Sequence, residues 1–199
     1  MFGRKPSPKK PVIVVSGLPR SGTSMMMKML AEGGLEIVTD ELRSADEDNP
    51  NGYFELEAVK QMAEGNVSWL ADAGGRAVKV ISAQLEHLPS TQTYKVIFME
   101  REIKEVLASQ RKMLKHRNET PRVDEAEIEA QFRNHLAVVK PWLVRQPNME
   151  ILVLSYNEMM HDPAPLCDRL IKFLDLPLDE SRMMSVPNGA LYRNRKNSS

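Results

Sequence analysis

The run Gly17-Leu18-Pro19-Arg20-Ser21-Gly22-Thr23-Ser24 holds residue types that together can grip an anion. Gly17 and Gly22 let the backbone turn tightly and approach a ligand with no Cβ in the way. Successive N–H groups can then point inward, and a helix starting at Gly22 adds partial positive charge at that point. The hydroxyls of Ser21, Thr23 and Ser24 supply further donors. Arg20 adds a planar guanidinium, whose fork suits two oxygens of a phosphate or sulfate. The chemistry these residues imply is the binding of a phosphate-bearing nucleotide.

The loop departs from the usual nucleoside-triphosphatase signature, G-x-x-x-x-G-K-[ST]. Thr23 stands where that pattern needs lysine, and the cation sits three residues earlier, as Arg20. The strand Val96-Ile-Phe-Met99 ends in Glu100-Arg101, with no aspartate there to help hold magnesium. Both departures count against ATP–magnesium chemistry. A P-loop kinase of a small metabolite is therefore the second reading, and a non-catalytic nucleotide-binding protein the third.

These residues need a scaffold, and the hydrophobic pattern supplies one. Val12 to Val15 is a continuous β-branched run, as expected of a strand covered on both faces. Leu35–Val38, Ala77–Ile81, Tyr94–Met99 and Glu150–Leu154 read as four more strands. Helical spacing follows Gly22 as far as Gly33-Gly34 and returns at 56–70, 103–116, 124–143 and 163–174. Alternation of the two types predicts an α/β protein, a three-layer P-loop fold whose central, mainly parallel five-stranded sheet is flanked by helices. Residues 1–10 read as a flexible basic tail, and 11–199 as one domain. Ligands of such sheets collect at the carboxyl ends of the strands, where Gly17 and Arg101 both fall.

At Pro19-Arg20-Ser21-Gly22-Thr23-Ser24 the chain resembles the 5′-phosphosulfate loop of the PAPS-dependent sulfotransferases, small bacterial-type members included. The segment Phe98-Met-Glu-Arg101, continuing to Ser109, is similar to the second signature of that family. There an arginine after a strand and a serine eight residues on hold the cofactor's 3′-phosphate; Arg101 and Ser109 fill those places. The family usually has Asp-Pro after the arginine, where this chain has Glu102-Ile103. Leu152–Glu158, His161-Asp-Pro163 and Lys172–Leu176 resemble a late stretch of the family that is mainly structural. Asn49-Pro-Asn-Gly-Tyr-Phe-Glu55 is similar to a loop of small bacterial sulfotransferase-like proteins.

The resemblance implies sulfuryl transfer from PAPS (3′-phosphoadenosine 5′-phosphosulfate) to a hydroxyl or amine. Gly17, Pro19, Arg20, Ser21, Gly22, Thr23, Ser24, Arg101 and Ser109 would bind the donor, and Arg20 would also stabilise the transferred group. Cytosolic members use a histidine base after the second strand; none of His87, His116, His135 and His161 stands there. Protein-tyrosine and heparan-type members use a glutamate. Aligned without a gap from Arg20, Glu41 falls on that base and Arg43 on a neighbouring arginine, with Glu55 the runner-up. Arg193 and Arg195, near the end of the sequence, either fold over the cofactor or belong to a basic tail.

Composition narrows the partners. Lys plus Arg and Asp plus Glu number 27 each, so zero net charge gives no global reason to expect nucleic acid or an anionic membrane as partner. The apolar run 11–18 is too short for a membrane span and has no small-residue cleavage site. One cysteine, Cys167, rules out an intramolecular disulfide and fits a cytoplasmic location. The histidines lack metal-ligand spacing, so no metal is expected. The acceptor, whether small molecule, peptide or glycan, is left open, as is the oligomeric state.

Overall fold

The computed structural model describes residues 10–40, 52–119 and 123–187. Four parallel strands form one sheet in the order β2-β1-β3-β4, with β1 at Val12–Gly17, β2 at Ala77–Lys79, β3 at Tyr94–Glu100 and β4 at Met149–Ser155. Register is set by apolar pairs: Val14 lies beside Val78 on one side and Val96 on the other, and Val96 beside Ile151. Every residue of β1 is buried, as its unbroken apolar run requires of a strand covered on both faces.

Side chains alternate between two cores. Ile13, Val15, Ile97 and Met99 face one layer, packing with Met26, Met29 and Leu30 of α1 (Thr23–Glu32) and, further along the chain, with Leu166 and Leu170. Val12, Val14, Val96 and Phe98 face the other layer, with Val59, Met62, Leu70 and Leu85. The first core is thus rich in methionine, whose unbranched side chain fills irregular gaps.

The remaining helices are α2 (Glu57–Lys60), α3 (Ile103–His116), α4 (Glu125–Val144), α5 (Tyr156–His161), α6 (Ala164–Leu174) and α7 (Glu180–Met184). α4 covers the second core with Val139 and Leu143, whereas α6 and α7 close the first. Among the described residues no helix is long and apolar enough to cross a membrane.

Two expectations need correction. The sheet has four strands, not five. Leu35–Val38 contributes a single parallel bridge, Ile37 to Ala77, with Val38 N–H donating to the Ala77 carbonyl. Pairing stops there because the next residues turn away: the Thr39 hydroxyl and the Asp40 N–H both donate to the Glu55 carbonyl. The helix expected over 56–70 is also broken. α2 lasts four residues, and two short 3-10 turns follow at Met62–Glu64 and Ser68–Asp72. Gly65, at φ 89°, takes the left-handed conformation between them, which ends helical propagation.

Cys167 of α6 is fully buried in the first core. Burial pushes its thiol up to about 11, and the Glu180 carboxylate adds to the shift. The folded chain therefore holds this proton more tightly than the unfolded one. That contribution to stability is intact below the ordinary thiol value of 9.0 and is lost as pH rises towards 11. At about pH 8 a thiol reagent is expected to modify Cys167 only at the rate of unfolding. Rapid stoichiometric labelling of the folded protein would contradict this.

Candidate active site

The Gly17–Ser24 turn and Arg101 follow the carboxyl ends of β1 and β3. β1 ends at Gly17, whose register partner is Met99, and Glu100 pairs with Ser155. The turns after β1, β3 and β4 therefore open side by side on one edge of the sheet.

The turn after β1 is built around conformations that only small or specially held residues tolerate. Gly17, at φ 145°, packs so closely that a Cβ would stand 2.5 Å from both the Met99 carbonyl oxygen and Ser21 Oγ. Arg20 is left-handed at φ 68°, unusual for a residue with a side chain. Gly22, at φ 101°, precedes α1 and offers no side chain to cap it. The first-turn N–H groups of α1 thus keep their positive end directed at the turn. Ser21 is buried, and its hydroxyl has no hydrogen-bond partner among the described residues. A loop of this construction fits an anionic oxygen: the backbone is cleared of Cβ atoms and a buried hydroxyl is left to be satisfied.

The turn after β3 meets it. Arg20 Nε donates to Ser109 Oγ at 3.0 Å, and an Arg101 Nη1 N–H donates to the Arg20 carbonyl at 3.2 Å. Arg101 Nε in turn donates to Glu105 Oε2 at 3.1 Å. Arg101 and Glu105 side chains are each only 6% exposed, so this is a buried ion pair one helical turn apart. Arg20, Arg101 and Ser109, which the sequence places 81 and 89 positions apart, thus form one connected unit. Glu105 was missed in the sequence. Its spacing of four from Arg101 was the available signal.

A second missed residue is Lys79, at the carboxyl end of β2. Its side chain is 8% exposed, and its ammonium donates to the Tyr53 carbonyl and, at 3.4 Å, to Ser24 Oγ in the first turn of α1. Glu55 Oε1 lies 3.8 Å from the same ammonium, and Glu55 Oε2 lies 3.5 Å from Lys60. A lysine inside an otherwise apolar strand was the sign to look for, since such a charge is rarely buried without a task or a partner.

Glu41 and Arg43 lie outside the described residues, as do Arg193 and Arg195. The residues following β2 are Val80, Ile81 and Ser82, so no histidine stands there. His135 Nε2 is 2.8 Å from Ser82 Oγ, and burial holds its pKa below the ordinary value. No group of acidic, histidine and cysteine side chains suited to a metal occurs among the described residues. What the arrangement can do is hold an extended anion, with one end on the Gly17–Ser24 turn and the other near Arg101 and Ser109.

The model of the family described as sulfotransferase domain matches residues 10–199. Among solved structures, the mouse sulfotransferase SULT7A1 complexed with PAP is 15% identical, with a TM-score of 0.60 over 96% of this chain and 68% of that one. The sulfotransferase domain of the curacin biosynthetic pathway is 14% identical, with a TM-score of 0.56, covering 92% of this chain and 80% of that one. The sulfotransferase domain of the Synechococcus PCC 7002 olefin synthase is 16% identical, with a TM-score of 0.54, covering 98% and 92%. At these identities the likeness shows a shared fold. No curated protein sequence matches the chain.

Replacing Glu105 by Gln removes the counter-ion of a buried guanidinium. The variant is expected to lose about 3–5 kcal/mol of stability in urea unfolding. A loss below ~1 kcal/mol would mean that solvent already screens the pair.

Proposed function

This chain belongs to the sulfotransferase-domain family, and from that premise we propose that it transfers a sulfuryl group from PAPS to a hydroxyl or amine of an acceptor. The observation that supports the reading is the Arg20–Ser109 and Arg101–Arg20 linkage, which joins the turn after β1 to the turn after β3. A donor with phosphate at both its 5′ and 3′ positions needs two such sites. PAP in the SULT7A1 structure is consistent with a donor of that class.

The residues divide the work as follows. Gly17, Pro19, Ser21, Gly22, Thr23 and Ser24 shape the turn and present N–H and hydroxyl donors to the 5′ end. Arg101 and Ser109 hold the 3′-phosphate, with Glu105 keeping the Arg101 guanidinium in plane. PAPS, when bound, supplies a sulfuryl group already activated by its phosphate leaving group. Arg20 would offset the charge that develops as the sulfur–oxygen bond to phosphate breaks. Lys79, on Ser24, places a second cation on the same side.

The acceptor oxygen or nitrogen forms the new bond to sulfur and must give up a proton to a base. Glu41 takes that role in this reading. Glu55, which the structure sets beside Lys79 and Lys60, is the alternative. The protein acts as a soluble cytoplasmic enzyme without a metal, on a small-molecule, peptide or glycan acceptor.

Calorimetry with adenosine 3′,5′-bisphosphate (PAP) and with ATP–magnesium separates this reading from a kinase. PAP is expected to bind more tightly, and Arg101→Ala to weaken it about 10- to 150-fold, the equivalent of ~1.5–3 kcal/mol for a charged hydrogen bond. Preference for ATP–magnesium that ignores Arg101 would refute the proposal. Glu41→Gln is expected to keep PAP affinity and lower kcat by at least ~100-fold. The same loss in Glu55→Gln instead would transfer the role to Glu55.

A further inference from the structure

His135 interrupts the apolar stripe that α4 turns towards the sheet, formed at helical spacing by Ile128, Phe132, Leu136, Val139 and Leu143. Core filling alone would ask for another apolar side chain at that place. The histidine instead makes a directed contact across 53 positions of the chain, its Nε2 standing 2.8 Å from Ser82 Oγ. Burial favours the neutral imidazole, and either tautomer makes this bond, since the hydroxyl can donate or accept. Ser82 is itself only 3% exposed, so the bond is closed to water on the serine side. α4 leads into the amino end of β4, so the start of the helix lies towards the carboxyl edge of the sheet. His135 therefore stands nearer that edge than Val139, level with the end of β2.

The end of β2 needs such a hold. The strand has three residues, lies outermost in the sheet, and is backed on its far side by the single bridge from Ile37. Its last bond to β1 is the one that Val80 N–H donates to the Val15 carbonyl, at 3.0 Å. The chain then enters the 3-10 turn Ser82–His87. Short edge segments of this kind open more readily than central strands. Yet this one carries Lys79, whose buried ammonium spans to the Tyr53 carbonyl and to Ser24 Oγ. Leu85 and Leu88 press the following turn into the second core. Apolar contact resists withdrawal of the turn but does not fix its direction, whereas a hydrogen bond does.

We propose that His135 is a positioning residue for Lys79: through Ser82 it holds the end of β2 so that the lysine ammonium stays on the Gly17–Ser24 turn. This rests on the sulfotransferase reading and deepens it, because Lys79 then serves the sulfuryl-bearing end of the donor.

The first test needs no ligand. Amide hydrogen exchange is followed at Val80 and, as a reference in the central strand β3, at Val96. His135→Ala and Ser82→Ala are each expected to speed exchange at Val80 by about tenfold and to leave Val96 unchanged. His135→Gln, whose amide can reach the same hydroxyl, is expected to stay within about threefold of wild type at Val80. Unchanged exchange at Val80 in the alanine variants, or equal acceleration at Val80 and Val96, would overturn the proposal. Ser82→Ala, which removes one oxygen atom, carries the test alone if His135→Ala does not fold.

The second test is calorimetry with PAPS and with PAP, which differ by the sulfuryl group. His135→Ala is expected to weaken PAPS about fivefold and PAP by less than about twofold, since Arg101 and Ser109 are left intact. In a Lys79→Ala background the same change is expected to cost PAPS less than about twofold, because the group it positions is gone. Equal losses in both backgrounds, or wild-type PAPS affinity in His135→Ala, would also overturn it. If exchange at Val80 responds as expected but wild type binds neither nucleotide, the hold on Lys79 stands and the sulfotransferase reading fails.

Discussion

Two guanidinium groups of like charge converge on one edge of a parallel sheet, next to the positive end of a helix. Such a site is electrostatically unfavourable in the free protein, and the surrounding residues are arranged to make it tolerable. Glu105, four residues on, neutralises Arg101 where both side chains are almost out of water. Ser109 and the Arg20 carbonyl take up further donors, so that the cations are tied to the backbone and to each other. Desolvation of a pair like this costs much of what its Coulomb attraction returns. The net gain lies in preorganisation: an anion arriving here finds its donors already aimed and loses little in ordering them.

The sheet makes this convergence possible. Parallel strands put all their carboxyl ends on one edge, and the order β2-β1-β3-β4 sets the turns after β1 and β3 side by side. Gly17 and Gly22 then let the β1 turn close against its neighbours, one against the Met99 carbonyl and the other against the Tyr156 ring. Lys79 and Glu55 extend the same edge beyond β1, and Tyr156 closes it beyond β3. A donor held along this edge would lie between groups contributed by every strand of the sheet.

Much of this was legible in the chain. The loop from Gly17 to Ser24 announced itself because its chemistry is local, carried by glycines, hydroxyls and one arginine within eight residues. The strands β1 and β3 read clearly from their apolar runs, and α3 fell where its periodicity put it, at Ile103–His116. What the chain concealed were pairings between distant segments. Leu35–Val38 has the composition of a strand, but β2 offers only three residues to pair with, and the Glu55 carbonyl draws the chain away. Gly65 breaks a helix that hydrophobic spacing alone would have continued. Lys79 passed as part of a strand, and Tyr156 as part of a mainly structural stretch, since a buried charge or ring acquires meaning only from what the fold sets beside it.

The central claim is that Arg101 and Ser109 form a site for a 3′-phosphate, distinct from the loop that takes the 5′ end. Titrating the wild-type protein with PAP and with adenosine 5′-monophosphate, which differ in that one phosphate, measures this most directly. PAP is expected to bind about 10- to 150-fold more tightly, corresponding to ~1.5–3 kcal/mol from the charged hydrogen bonds at Arg101. Equal affinities for the two nucleotides would contradict the account.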